Sequence, residues 1–169
     1  SFEFSPPTPE VGMTIQFTDS STGNPTSWRW DFGDGSQSTL QNPQHQYQSA
    51  GTFNVTLTIS NGTSSKNLTK SINVLPLLSP NFTYSPANPE AGESIQFQDA
   101  SSGNPSSWNW NFGNGATSSA QNPSHTYSSA GTYTVTLQVS NGTYTKSTSK
   151  SITILAPVTV DFAFSPSAP

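Results

Sequence analysis

The chain has no cysteine and only one methionine. Disulfide staples, thiolate metal sites and cysteine nucleophiles are therefore excluded, and stability has to come from a packed core. Charge is scarce too: charged residues make up 8%, with five cationic side chains against nine acidic ones and a net charge of −4. The cations, Arg29, Lys66, Lys70, Lys146 and Lys150, are scattered and form no basic stripe, which argues against nucleic acid as a partner. No stretch reaches the roughly 18 apolar residues that a membrane-spanning helix needs. No segment keeps a 3.6-residue apolar period, so little helix is expected. A phosphate-binding glycine loop and a Gly-x-Ser-x-Gly elbow are missing as well. No secretory leader begins at Ser1, so the segment is expected to be processed, trimmed or cut from a longer chain.

Ser, Thr, Asn, Gln, Gly and Pro dominate what remains, a balance that can signal disorder. Aromatics nevertheless reach 11% and fall at regular alternating positions, which marks a folded chain.

The main feature is a repeat. SFEFSPPTPEVGMTIQFTDSSTGNPTSWRWDFGDG at 1–35 returns as NFTYSPANPEAGESIQFQDASSGNPSSWNWNFGNG at 81–115, and QNPQHQYQSAGTFNVTLTISNGT at 41–63 returns at 121–143. The offset is 80 residues without gaps, longer than the period of most solenoids and long enough for a domain with its own core. DFAFSPSAP at 161–169 matches the opening of both copies. The expected organisation is a first module over 1–76, a second over 77–156, and at 157–169 either the start of a third module or a strand donated to a neighbouring chain.

Within each module the apolar residues alternate at period two: Met13, Ile15 and Phe17; Trp28, Trp30 and Phe32; Phe53, Val55, Leu57 and Ile59. Such strands offer one oily and one polar face. Asn61-Gly62 and Asn141-Gly142 lie between strand patterns and predict two-residue type I′ hairpins. The fold class is all-β: two tandem sandwiches plus the first strand of a third module. Trp28, Trp30, Phe32, Tyr47, Trp108, Trp110, Phe112 and Tyr127 are assigned to the cores, each large ring worth about 2–3 kcal/mol on burial. Tyr84 and Tyr144 are the rings expected to be exposed if a sugar-stacking platform exists.

WRWDFGDG at 28–35, WNWNFGNG at 108–115, the NPQHQY and NPSHTY segments and the two AGT…SNG runs resemble the PKD domain family. The resemblance implies an Ig-like sandwich of about seven strands. It also implies a setting in arrays on archaeal or bacterial surface proteins, in accessory modules of secreted hydrolases or in animal membrane-protein ectodomains.

Candidate chemistry is sparse. Asp19, Asp31 and Asp34 are weak calcium candidates, but Asn111 and Asn114 replace Asp31 and Asp34 in the second copy. A carboxylate in a glycine-rich turn is expected to accept backbone N–H groups, a role that Asn keeps. His45 and His125 recur one per module and are expected to pack locally beside Tyr47 and Tyr127, whose hydroxyls are expected to bond backbone at a sandwich corner. Catalytic residues, metal and cofactors are expected to be absent. Asn54, Asn61, Asn67, Asn81 and Asn141 head Asn-x-Thr sequons and are candidate glycosylation sites. Low charge, tandem copies and short Pro-bearing linkers at 75–80 and 155–160 lead to an expected role as a non-catalytic structural module outside the cell. A stalk, sheath, S-layer or filament would fit, with neighbouring copies of the module or cell-surface glycans as partners. The alternative is an accessory substrate- or carbohydrate-binding module of a secreted hydrolase.

Overall fold

A computed structural model describes residues 1–161. Residues 162–169, which carry most of the expected third-module strand, lie outside the described residues. The chain divides into two compact units, Ser1–Ser79 with Ser102–Asn104, and Pro80–Ser101 with Pro105–Pro169.

The first unit holds seven strands: β1 (Phe2–Ser5), β2 (Ile15–Asp19), β3 (Ser27–Asp31), β4 (Gln37–Ser38), β5 (Gln44–His45), β6 (Gly51–Ser60) and β7 (Ser65–Val74). They form a three-stranded sheet, β1-β2-β5, and a four-stranded sheet, β4-β3-β6-β7, all with antiparallel pairing. A short parallel bridge completes the rim: Val11 N–H donates to the Leu75 carbonyl at 2.9 Å and Leu75 N–H to that of Pro9 at 2.8 Å. The second unit repeats the plan with β8 (Phe82–Ser85), β9 (Ser94–Asp99), β10 (Ser107–Asn111), β11 (Thr117–Ser118), β12 (Ser124–Thr126), β13 (Gly131–Ser140) and β14 (Thr145–Ile154). The protein is thus all-β, each unit an Ig-like sandwich.

Alternation along the strands decides which side chains meet between the sheets. Phe2, Ile15 and Phe17 come from the three-stranded sheet, and Trp30, Val55, Leu57, Ile72 and Val74 from the four-stranded one; all are buried. Trp30 lies edge-on to Phe2 at 5.0 Å and tilted against Phe17 at 5.6 Å, the arrangements that ring quadrupoles favour. Phe82, Phe97 and Trp110 reproduce the cluster in the second unit.

Several expectations need correction. Trp28 and Trp108, assigned to the cores, are only partly buried. Their indole N–H groups donate to Asp19 and Asp99, at the ends of β2 and β9, at 2.7 and 2.8 Å, whereas the buried Trp30 and Trp110 donate to the backbone carbonyls of Leu40 and Ala120. Met13 precedes β2 rather than joining it and is 36% exposed. The predicted two-residue hairpins are four-residue loops. β6 pairs with β7 out to Ser60 and Ser65, Gly62 has φ of 87°, and the Asn61 carboxamide folds over the loop to accept the N–H groups of Thr63 and Ser64. A side chain that bonds its own backbone in this way offers the turn an alternative to the I′ geometry. Tyr84 and Tyr144, the rings named for a sugar-stacking platform should one exist, are partly buried.

Candidate functional site

The turn after β3 collects the residues that sequence reasoning singled out. Asp31 accepts the N–H of Gly33 at 2.9 Å, and Asp34 accepts that of Ser36 at 2.9 Å. Gly33, at φ of 80°, presses onto the backbone of β6: a Cβ there would lie 2.8 Å from the Asn54 carbonyl oxygen. Behind the turn the ring of His45 stacks on Phe32 at 4.2 Å and meets Tyr47 edge-on at 4.7 Å. Its Nε2 lies 2.7 Å from Asp34 Oδ2. The Tyr47 hydroxyl donates to the buried Phe32 carbonyl at 2.8 Å.

The second unit keeps this scaffold but carries amides where the first has the carboxylates of Asp31 and Asp34. Asn111 and Asn114 accept the N–H groups of Gly113 and Ala116, His125 stacks on Phe112 at 4.1 Å, and Tyr127 donates to the Phe112 carbonyl. Here the partner of His125 Nε2 is the Asn114 amide nitrogen, at 3.0 Å. An amide N–H donates, so His125 is placed as an acceptor and therefore neutral.

The electrostatics follow. Burial works to raise the Asp34 pKa, but the Ser36 N–H and the His45 ring outweigh it and hold the carboxyl below the usual value. Burial lowers the His125 pKa. Burial, with the negative charges of Asp34 and Asp31, pushes the Tyr47 phenol well up, and burial with Tyr133 pushes Tyr127 up to about 12.

A second cluster closes the other end of β3. Asp19 Oδ2 accepts from Trp28 Nε1, Asp19 Oδ1 accepts from the Ser21 N–H at 2.9 Å, and the Asp19 N–H donates to Asn42 Oδ1 at 2.8 Å. Asp99, Trp108, Ser101 and Asn122 repeat it. Burial disfavours both carboxylates, and the hydrogen bonds outweigh it, so both pKa values fall below the ordinary one.

Asp19 thus stands apart from Asp31 and Asp34, and each of the three is already engaged by backbone N–H groups. Among the described residues no group of three or more His, Cys, Asp or Glu could hold a metal ion. One surface hollow of 380 Å³ is bounded by Arg29, Gln37, Ser38, Thr39 and Leu40, without an acid–base pair. Among the sequons, Asn54, Asn61, Asn67 and Asn81 are exposed and Asn141 is partly buried. Among the described residues no helix is long and apolar enough to cross a membrane.

Sequence reasoning missed two contacts. Glu10 is buried and its carboxylate accepts the N–H of Leu78, itself buried, at 3.0 Å. Lys70 on β7 reaches across to β1, donating to the Phe2 carbonyl and to Glu3 and lying 5.2 Å over the Phe2 ring; Lys150 likewise donates to the Phe82 carbonyl and lies 4.9 Å over the Phe82 ring, with Thr83 in place of Glu3. Their recurrence at 90 and 150 was the available signal.

The sequence pattern of the PKD domain matches residues 6–75 and 80–156. Collagenase ColA of Bacillus cereus is 46% identical over 66 residues, 36% of this chain and 7% of that protein. A microbial collagenase of Vibrio alginolyticus is 43% identical over 54 residues, 30% of this chain and 7% of that one. The chain therefore corresponds to a small part of either collagenase. The crystal structure of the PKD1 domain of Vibrio anguillarum Epp superposes with a TM-score of 0.44 at 29% identity, covering 49% of this chain and 99% of that domain.

Proposed function

Since the chain belongs to the PKD domain family, a family of non-catalytic modules, we propose that it is a structural module of an extracellular or cell-surface assembly: a stalk, sheath, S-layer or filament. One observation carries the reading. The side chains that could do chemistry are spent on holding turns and rims, in the same hydrogen bonds at both ends of β3 and of β10. At this turn the two copies differ in charge, since Asp31 and Asp34 of the first are Asn111 and Asn114 in the second. A repeated fold with an inert exterior suits spacing and display.

Exposed sequons are consistent with N-glycosylation, and sugar on Asn67 would cover the free edge of β7, a long strand that could otherwise pair with another chain. Head-to-tail assembly through residues 157–169 belongs to this reading, with copies of the same subunit or surface glycans as partners. Electron microscopy of the native material tests it: an array or fibre built from these modules supports the proposal, and a dispersed soluble enzyme carrying them removes it.

The similarity to parts of two collagenases favours a second reading, an accessory module that holds polymeric substrate for a hydrolase. Co-sedimentation with insoluble collagen and insoluble polysaccharides tests this second reading: retention on such a substrate supports it, and none on either argues against it.

A further inference from the structure

The chain holds three Asn-Gly pairs, at 61–62, 114–115 and 141–142. A glycine after asparagine leaves the next backbone nitrogen least hindered towards the carboxamide, and asparagine is among the thermolabile side chains. The fold treats the three pairs differently.

In the hairpin loops both reacting groups are tied down. Gly62 N–H donates to Ser60 Oγ at 3.1 Å, while Asn61 Oδ1 accepts from Thr63 and Ser64 at 3.1 and 3.0 Å. Gly142 donates to Ser140 Oγ at 3.1 Å, and Asn141 Oδ1 accepts from Thr143 and Tyr144 at 3.1 and 2.9 Å. Attack by the glycine nitrogen disturbs three hydrogen bonds in each loop. At the third pair, among the described residues, no hydrogen bond involves the Gly115 N–H, and Asn114 Oδ1 holds a single, longer one from Ala116 at 3.2 Å. The amide nitrogen, which must leave, lies 3.0 Å from His125 Nε2. Asn114 and Gly115 are both exposed, so water reaches the site.

We propose that Asn114 is the site of spontaneous deamidation in the folded protein, and that it yields a second Asp–His pair of the kind formed by Asp34 and His45. Gly115 N bonds to Cγ of Asn114 and loses its proton to water. The Cγ–Nδ2 bond breaks and ammonia departs, taking a proton from water, to leave a succinimide. One water molecule then opens the ring at either carbonyl to give aspartate or its iso form. The sum is amide plus water giving carboxylic acid plus ammonia, with no change in oxidation state. The first unit shows that this fold accepts the aspartate: Asp34-Gly35 closes the equivalent turn with Ser36 N–H on Asp34 Oδ1 at 2.9 Å.

Incubation of the whole chain in mildly alkaline buffer, followed by peptide mapping, tests the assignment. Asn114 is expected to convert about tenfold faster than Asn61 or Asn141, the factor that one more intact hydrogen bond represents. In denaturant the three rates converge. Equal rates in the folded protein, or the same lead for Asn114 when unfolded, overturn the proposal. Ser60→Ala frees the Gly62 N–H and is expected to speed conversion of Asn61; an unchanged rate defeats the argument from tied nitrogens. Asn114→Asp made directly should raise the His125 titration midpoint seen by NMR, and an unmoved midpoint shows that no pair forms.

Discussion

Asp19 and Tyr47 show how much one polar atom decides in a fold with so few charges. The Trp28 indole N–H has Asp19 as its acceptor. Asp19→Ala should destabilise the first module by about 1–3 kcal/mol, since it strands the indole N–H and the Ser21 N–H, and Asp19→Asn by less because one acceptor survives. Urea titration followed by tryptophan fluorescence reads both. Tyr47→Phe leaves the buried Phe32 carbonyl without its donor, and a loss of about 1–3 kcal/mol is expected for that reason rather than for lost packing. Tyr133→Phe, whose hydroxyl bonds the Ser129 carbonyl at an exposed site, should cost much less in the same assay.

At the scale of single elements, the turn after β3 is held by a close approach of backbone to backbone. Gly33→Ala brings a Cβ to 2.8 Å from the Asn54 carbonyl oxygen at φ of 80°, whereas Gly35→Ala meets open space at φ of 92°. Both carry the left-handed penalty of about 1 kcal/mol, and Gly33→Ala should lose clearly more, because β6 must move. Thermal melts of the two variants compare them directly. The same turn sets a difference in acid sensitivity between the modules. The His125 pKa is lowered by burial, so the unfolded chain binds more protons just below the ordinary value of 6.5. The second module should therefore hold its full stability above that value and lose part of it as pH falls through it. Asp34, held below the ordinary 3.8, contributes stability that is present above that value and lost only as pH drops through the lower folded-state value. Asn114→Asp should lessen the mild-acid loss in the second module, as module-resolved hydrogen exchange against pH would show.

For the whole molecule, the governing fact is that each unit has its own ring cluster, with Trp30 central to one and Trp110 to the other. Trp30→Ala should cost about 3–5 kcal/mol, a large share of the 5–15 kcal/mol by which small domains are stable. The calorimetric trace is then expected to keep one transition, that of the second module, and to lose or shift the other. A single transition moving as a block would show the two cores to be coupled. Tandem independent cores suit a load-spreading array, which is the scale at which the proposed structural role acts.

The alternation of apolar and polar residues determined the sheets, and the gapless repeat determined that two copies of one fold are present, because period-two burial and self-similarity are local properties of the chain. The sequence also assigned Trp30, Phe32, Tyr47 and their copies to the cores, and set His45 and His125 beside Tyr47 and Tyr127 through the His-x-Tyr spacing. Tertiary structure alone decided the rest. Lys70 meets Phe2, and Glu10 meets Leu78, across 68 residues; contacts at that separation depend on how two sheets close over each other, which no local period encodes. Trp28 stands at the rim although it shares the parity of Trp30, since parity fixes the face of a strand but not how far the opposite sheet extends over it. The Asn61 loop has four residues where Asn-Gly suggested two, because its carboxamide found partners that exist only once β6 and β7 have met.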